Sequence, residues 1–288
     1  GEPQVANVVL KTDTPAAVRW SVVGYHNTDM PPVPWFTNIS LSDRWRSIDY
    51  NGGLDIFRKA FSERNDEAIV DGNGTLLEER LEHGYQEEFE ANFDLSASTW
   101  VGETLLTWNS QVGMQDGSEK FVSNRTPVGQ GTRNELTDGI SDEIQFEAGI
   151  TAERELVEGL SGNLLLFFTR EAEDAATTQR SINAAGTQTA ETIKDTYQVE
   201  KEAIARTEFE WIGWDNHTVR LNLEGSYNLV DNEELQTLDT GAGPISVIVP
   251  GATTAISEDR GDFLLKDIWS LGRYELDYGM GAEASRLS

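Results

Sequence analysis

Fifty Asp and Glu residues against twenty-two Lys and Arg dominate this 288-residue chain. Carboxylates are therefore the first groups to test for chemistry. A pair about 5–9.5 Å apart could hydrolyse a glycoside, but with fifty acids any pair can be nominated, so composition selects none. The other reactive types are scarce. There is no cysteine, which removes disulfides and thiolate metal sites, and the three histidines, His26, His83 and His217, are far apart. That spacing argues against a His-rich metal site. Asp71-Gly72-Asn73-Gly74 begins like a calcium loop, yet the downstream glutamate spacing does not follow, and it reads as a turn. No Gly-Xaa-Ser-Xaa-Gly elbow, phosphate loop or His-Glu-Xaa-Xaa-His motif occurs. The sequence predicts no enzyme, no metal and no cofactor. Trp35 and Phe36, beside Pro31, Pro32 and Pro34, are candidate ligand-binding residues: two loop aromatics able to stack on a sugar or an aromatic ligand.

The formal net charge of −28 excludes nucleic acid as a partner and disfavours anionic lipid headgroups. No apolar run approaches the ~18 residues of a membrane helix; the longest is Leu164 to Phe168. A membrane barrel remains open, because its strands alternate and leave little hydropathy signal.

The elements that must carry any site are strands. Leu77 to Ala97 is the clearest. Its even positions, from Glu78 through Asn92 to Ser96, hold no large apolar side chain. Its odd positions are continuously apolar from Phe89 to Ala97. Successive strand residues point to opposite faces, so this is a two-faced strand of about twenty residues, against the usual 3–10. Length of that kind, with grease over one end of one face, suits a strand crossing an apolar band ~25 Å tall. The same alternation recurs at Ile140–Ala152, Tyr197–Trp211, Val219–Leu229, Phe263–Leu271 and Tyr274–Ala282. Arg44 to Phe61 reads as one long, less regular strand. Tight turns fall near residues 100, 160, 215 and 272. The polar stretches 113–139, 171–195 and 231–260 read as long loops. The expected fold is all-β: an antiparallel up-and-down meander of about ten or eleven long strands, forming a transmembrane β-barrel or part of one. Trp100, Trp108, Trp211, Trp214, Trp269 and Tyr274 cluster at strand ends, as aromatic girdles do.

Several segments resemble a TonB-dependent outer-membrane receptor of Gram-negative bacteria. Val5-Ala6-Asn7-Val8-Val9-Leu10-Lys11 is similar to the last plug strand of that family, and Val18-Arg19-Trp20-Ser21-Val22 to its first barrel strand. Asn216 to Gly225 and Tyr274 to Glu283 resemble hairpin arms. The resemblance implies that residues 1–14 end a plug and 15–288 form barrel strands with extracellular loops at 113–139, 171–195 and 231–260. It is to the first half of a 22-stranded barrel, lacking the globular plug and the TonB box. The implied function is binding and import of a scarce siderophore, vitamin or glycan. The implied partners are outer-membrane lipid, a small-molecule or oligosaccharide ligand, and TonB through a segment absent here. The competing reading is a soluble, secreted all-β carbohydrate-binding module.

Overall fold

A computed structural model describes residues 16–24 and 35–288. Val5–Lys11 and the three prolines at 31, 32 and 34 lie outside the described residues. The described residues form twelve strands: β1 (Ala17–Gly24), β2 (Trp35–Trp45), β3 (Ile48–Val70), β4 (Leu76–Val101), β5 (Thr104–Pro127), β6 (Arg133–Val157), β7 (Leu160–Ile182), β8 (Gln188–Trp211), β9 (His217–Asp239), β10 (Ile245–Val247), β11 (Thr253–Leu271) and β12 (Tyr274–Leu287). They form one antiparallel meander, in the order β1 to β9, then β11 and β12, with β10 a short flap on β9. β1 and β12 are open edges: the sheet is a barrel wall that does not close on itself.

Seven strands, β3 to β9, run 23 to 26 residues. The stretches 113–139, 171–195 and 231–260, expected to be loops, are largely strand. They reverse through short turns at residues 128–132 and 183–187 and a longer excursion at 240–252. The physical reason is that these upper arms carry only scattered large apolar residues, such as Phe121, Leu136 and Leu235, which mark neither face continuously. Alternation vanishes when water wets both sides, while the backbone ladder continues. Arg44–Phe61 is likewise two strands, broken at Arg46, whose φ is 59°. Three upper turns share one device. Asp71 Oδ1 accepts the backbone N–H of Asn73 and Thr75, each at 2.8 Å. Asn183 Oδ1 does the same for Ala185 and Thr187, and Asp239 Oδ1 for Gly241 and Gly243. A short side chain two and four residues upstream thus replaces the backbone acceptor. The opposite turns are tighter; Gly102 and Gly272 reverse the chain with φ of 62° and 64°, which favours glycine.

Pairing register gives the sheet its shear. Trp45, before the β2–β3 turn, is level with Thr99 through Ile48. Thr99's row runs on through Leu106, Ala152, Leu164, Thr207 and Leu223 to Phe263. The last tight turn, after Leu271, lies eight residues beyond Phe263. Spread over the strands between the two hairpins, the slip is about one residue per strand. With ~3.4 Å per residue and ~4.8 Å between strands, that is a strand tilt of about 35°, the lower end of the range for membrane barrels.

The faces sort as the alternation predicts. One carries Phe93, Leu95, Trp108, Met114, Ile144, Ile150, Leu164, Leu166, Phe168, Phe263 and Met280, all well exposed. Among the described residues the only buried hydrophobic side chain is Val199, and no second layer covers the grease. A water-soluble sandwich needs that second layer, so the carbohydrate-module architecture is not the one observed. The apolar run spans Ile144–Ala152 on β6 and Leu160–Phe168 on β7, nine residues and eight steps each. At a 35° tilt that is a band about 22 Å tall. Its upper limit follows the shear: level with Ala91 on β5 and β6, and with Leu95 on β7.

Candidate functional site

The site that this wall can build is its polar face. Even-numbered β4 residues and their row partners line it, and its character changes with height.

At the short-turn end one row runs Trp100–Leu105–Glu153–Asn163–Glu208–Asn222. These residues border a hollow of about 1170 Å³. Arg220 Nε reaches Glu210 at 2.7 Å on its rim. The middle of the face is acidic. Three successive rows carry Glu90, Glu143 and Glu173; Glu171 and Glu200; and Asp94, Glu147 and Glu202. Eight carboxylates on neighbouring positions make a strongly negative surface that concentrates cations. No group of His, Cys, Asp and Glu among the described residues is arranged to hold a metal ion.

Near the upper end the sign changes. Arg80, Arg125 and Arg133 stand side by side on three strands. Glu78 accepts from Arg80 at 2.5 Å and from Arg133 at 3.3 Å. Glu135 pairs with Arg125 at 2.6 Å. The Arg80 guanidinium, with Arg133 and Arg125 behind it, holds the Glu78 carboxyl below its usual range. Beneath them Ser123, 1% exposed, donates its hydroxyl to Glu82 at 2.9 Å. This network ties β4, β5 and β6 together near the tips of their hairpins, eleven residues beyond Ala91 and the top of the apolar band. Sequence reading missed it, because three arginines 45 and 8 residues apart show no local pattern. Only the register aligns them.

Trp35 and Phe36 fall at the start of β2, not in a loop, opposite Gly24 and Val23. They point to opposite faces. Trp35 shares the row of Arg58 and Phe89 on the apolar side. Phe36 shares the row of Phe57 and Glu90 on the polar side, with ring centroids 6.3 Å from Phe57. One ligand cannot stack on both.

Of the six strand-end aromatics, Trp211, Trp214 and Trp269 come together through His217, while Trp100 lies on the polar face. Trp211 and Trp214 rings lie 4.4 Å apart, and His217 stacks on Trp269 at 5.3 Å. His217 Nδ1 sits 2.8 Å from Asp267, which also accepts the Tyr278 hydroxyl. Amphipathic rings with polar tips at the edge of an apolar band suit a membrane–water boundary.

No family model matches the chain, and no curated protein matches it. Solved structures similar to it include two outer-membrane-type proteins. The toluene transporter TodX of Pseudomonas putida aligns over 94% of this chain and 86% of TodX, at 8% identity and a TM-score of 0.29. The ferric yersiniabactin uptake receptor FyuA of Yersinia pestis aligns over 95% of this chain and 55% of FyuA, at 10% identity and a TM-score of 0.29. At such scores the likeness carries no weight for function; the architecture, an open sheared wall with one greasy and one wet face, rests on its own register.

Proposed function

We propose that the chain is wall of an outer-membrane β-barrel of a TonB-dependent receptor, in which ligand is bound and imported rather than chemically altered. The observation that carries this is the coincidence of three geometries. The apolar band is about 22 Å tall, close to the ~25 Å a bilayer demands. The strand tilt is about 35°. The opposite face is polar along most of the band and becomes acidic at its upper edge, in the rows of Glu90, Asn92 and Asp94. A soluble sheet has no reason to combine them.

The edges support a receptor larger than the described wall. Open edges cannot sit in lipid. β1 and β12 head the same way, because eleven strands lie on the meander path. Two copies in one membrane would therefore meet in parallel, whereas barrels of this kind are antiparallel. An antiparallel closure needs an odd number of further strands. In this reading the upper turns face outside the cell and touch ligand, Phe36 is the stronger of the two aromatic ligand candidates, and Trp35 belongs to the lipid boundary. The ligand class is a scarce siderophore, vitamin or glycan, and TonB supplies energy through a segment other than this one.

Outer-membrane fractionation of a Gram-negative host tests the reading. The expected result is a product that stays with the outer membrane after carbonate washing and migrates faster on gels unheated than heated. Ligand uptake should cease when TonB is deleted. A product soluble and monomeric without detergent overturns the membrane assignment; uptake indifferent to TonB overturns the receptor class.

A further inference from the structure

Arg170 on β7 and Lys201 on β8 are direct cross-strand partners. Both belong to the apolar face. Their row runs Phe93–Val112–Phe146–Arg170–Lys201–Leu229. Like charges placed opposite one another in a sheet destabilise it, and here the pair is flanked by aromatic and aliphatic side chains.

Three arginines of this face are neutralised. Arg58 closes on Glu87, Arg154 on Glu103 at 3.0 Å, and Arg180 on Asp138 and Glu191 at 3.1 and 2.8 Å. Neither Arg170 nor Lys201 has a carboxylate within the 4.0 Å of an ion pair among the described residues. The nearest candidate by register is Asp231, diagonal to Lys201 and level with Val199, and it does not close.

Their height is also particular. Arg170 follows Phe168, the last apolar residue of the β7 run, and Lys201 sits one step beyond Ala203 in the same sense on β8. The pair therefore marks the upper edge of the band, where lipid headgroups begin. Small residues adjoin it: Ala148, Ala172 and Ala203 take neighbouring positions of the same face, beside the Phe146–Phe168 ring pair, with centroids 6.1 Å apart, and Tyr227.

We infer that Arg170 and Lys201 form a binding site for the phosphate of a membrane lipid, with an acyl chain lying along the apolar face beside Phe146 and Phe168. A phosphoryl group bridging a guanidinium and an ammonium turns their mutual repulsion into two charge-assisted hydrogen bonds. The overall charge of −28 repels anionic lipid at long range, but that repulsion is screened within ~8 Å at physiological salt, and contact is decided by these two groups. The inference rests on the membrane reading of the apolar face.

The test uses the full chain folded in dodecylmaltoside micelles, with retained lipid counted by native mass spectrometry. Probes are dioleoyl phosphatidic acid, dioleoyl phosphatidylcholine and inorganic phosphate. One phosphatidic acid is expected to be retained in preference to phosphatidylcholine. Arg170→Gln with Lys201→Gln should raise its half-saturating concentration about tenfold or more. Lys194→Gln with Arg260→Gln, an equal charge change on the polar face, should leave it unchanged. Equal retention by the first variant, an equal loss in the second, or displacement of the lipid by millimolar inorganic phosphate each overturns the site. A chain that does not enter micelles at all defeats the membrane reading as well; a folded chain with indifferent variants defeats only this site.

Discussion

Leu164→Arg separates a lipid-facing wall from a water-facing one. Leu164 is 40% exposed on the apolar face of β7. It lies four residues below Phe168, which at ~3.4 Å per residue and a 35° tilt is about 11 Å below the upper edge of a band about 22 Å tall. That is the middle of the band. If water bathed this face, replacing a half-exposed Leu would fall within about ±0.5 kcal/mol. In hydrocarbon, an arginine at the midplane of a barrel costs about 2–4 kcal/mol, a factor of roughly 30 to 1000 in the folding equilibrium. Thr169→Arg supplies the control. Thr169 is five residues away on the same strand, level with Glu147 and Glu202 on the polar face, where an added cation meets carboxylates. Urea unfolding from phosphatidylcholine vesicles, followed by tryptophan fluorescence, should lose about 2–4 kcal/mol for Leu164→Arg and about 0.5 or less for Thr169→Arg. Equal losses would refute the assignment of the two faces, and with it the membrane reading.

Other outcomes follow from single features. Glu78 is held below its usual range by Arg80 first, then Arg133 and Arg125, so its stabilisation is present above the ordinary carboxylate pKa and is lost as pH falls through the lower folded value; amide exchange at the tops of β4–β6 should stay slow at pH 5 and accelerate below pH 4. Asp142 has the opposite sign. A hydrogen bond to Asp116 across the β5–β6 pair, then burial, raises its carboxyl, so that contribution is present at low pH and fades as pH rises through the folded value; Asp142→Asn should flatten this pH dependence of β6 exchange. Arg125→Ala removes the middle arginine of the three and leaves Glu135 only its longer pair with Arg133, at 3.8 Å; exchange should quicken locally in β5 and β6, while the Leu164 region stays unchanged. Asp71→Ala removes the side-chain acceptor of two backbone N–H groups in the β3–β4 turn and should make that hairpin tip the first site of proteolysis in folded protein.

What the residues determined alone is everything that repeats with a period of two. Phe89 to Ala97 against Glu88 to Ser96 sets which side of β4 is greasy, and Gly102 and Gly272 mark where the chain must turn. Those are local facts, set by a pleat that sends neighbours to opposite faces. Above the band the signal ends, which is why Gly113–Gly139 and Glu171–Lys194 read as loops and fold as strand. Register is the non-local quantity, and tertiary structure alone supplied it: nothing in the spacing of Arg80, Arg125 and Arg133, or of Arg170 and Lys201, says that they stand shoulder to shoulder. A slip of one residue would send a whole strand's side chains to the wrong face. Pairing each strand with its neighbour at a constant shear thus converts a list of alternating residues into a tilted band of fixed height, and places two unpaired cations at its rim.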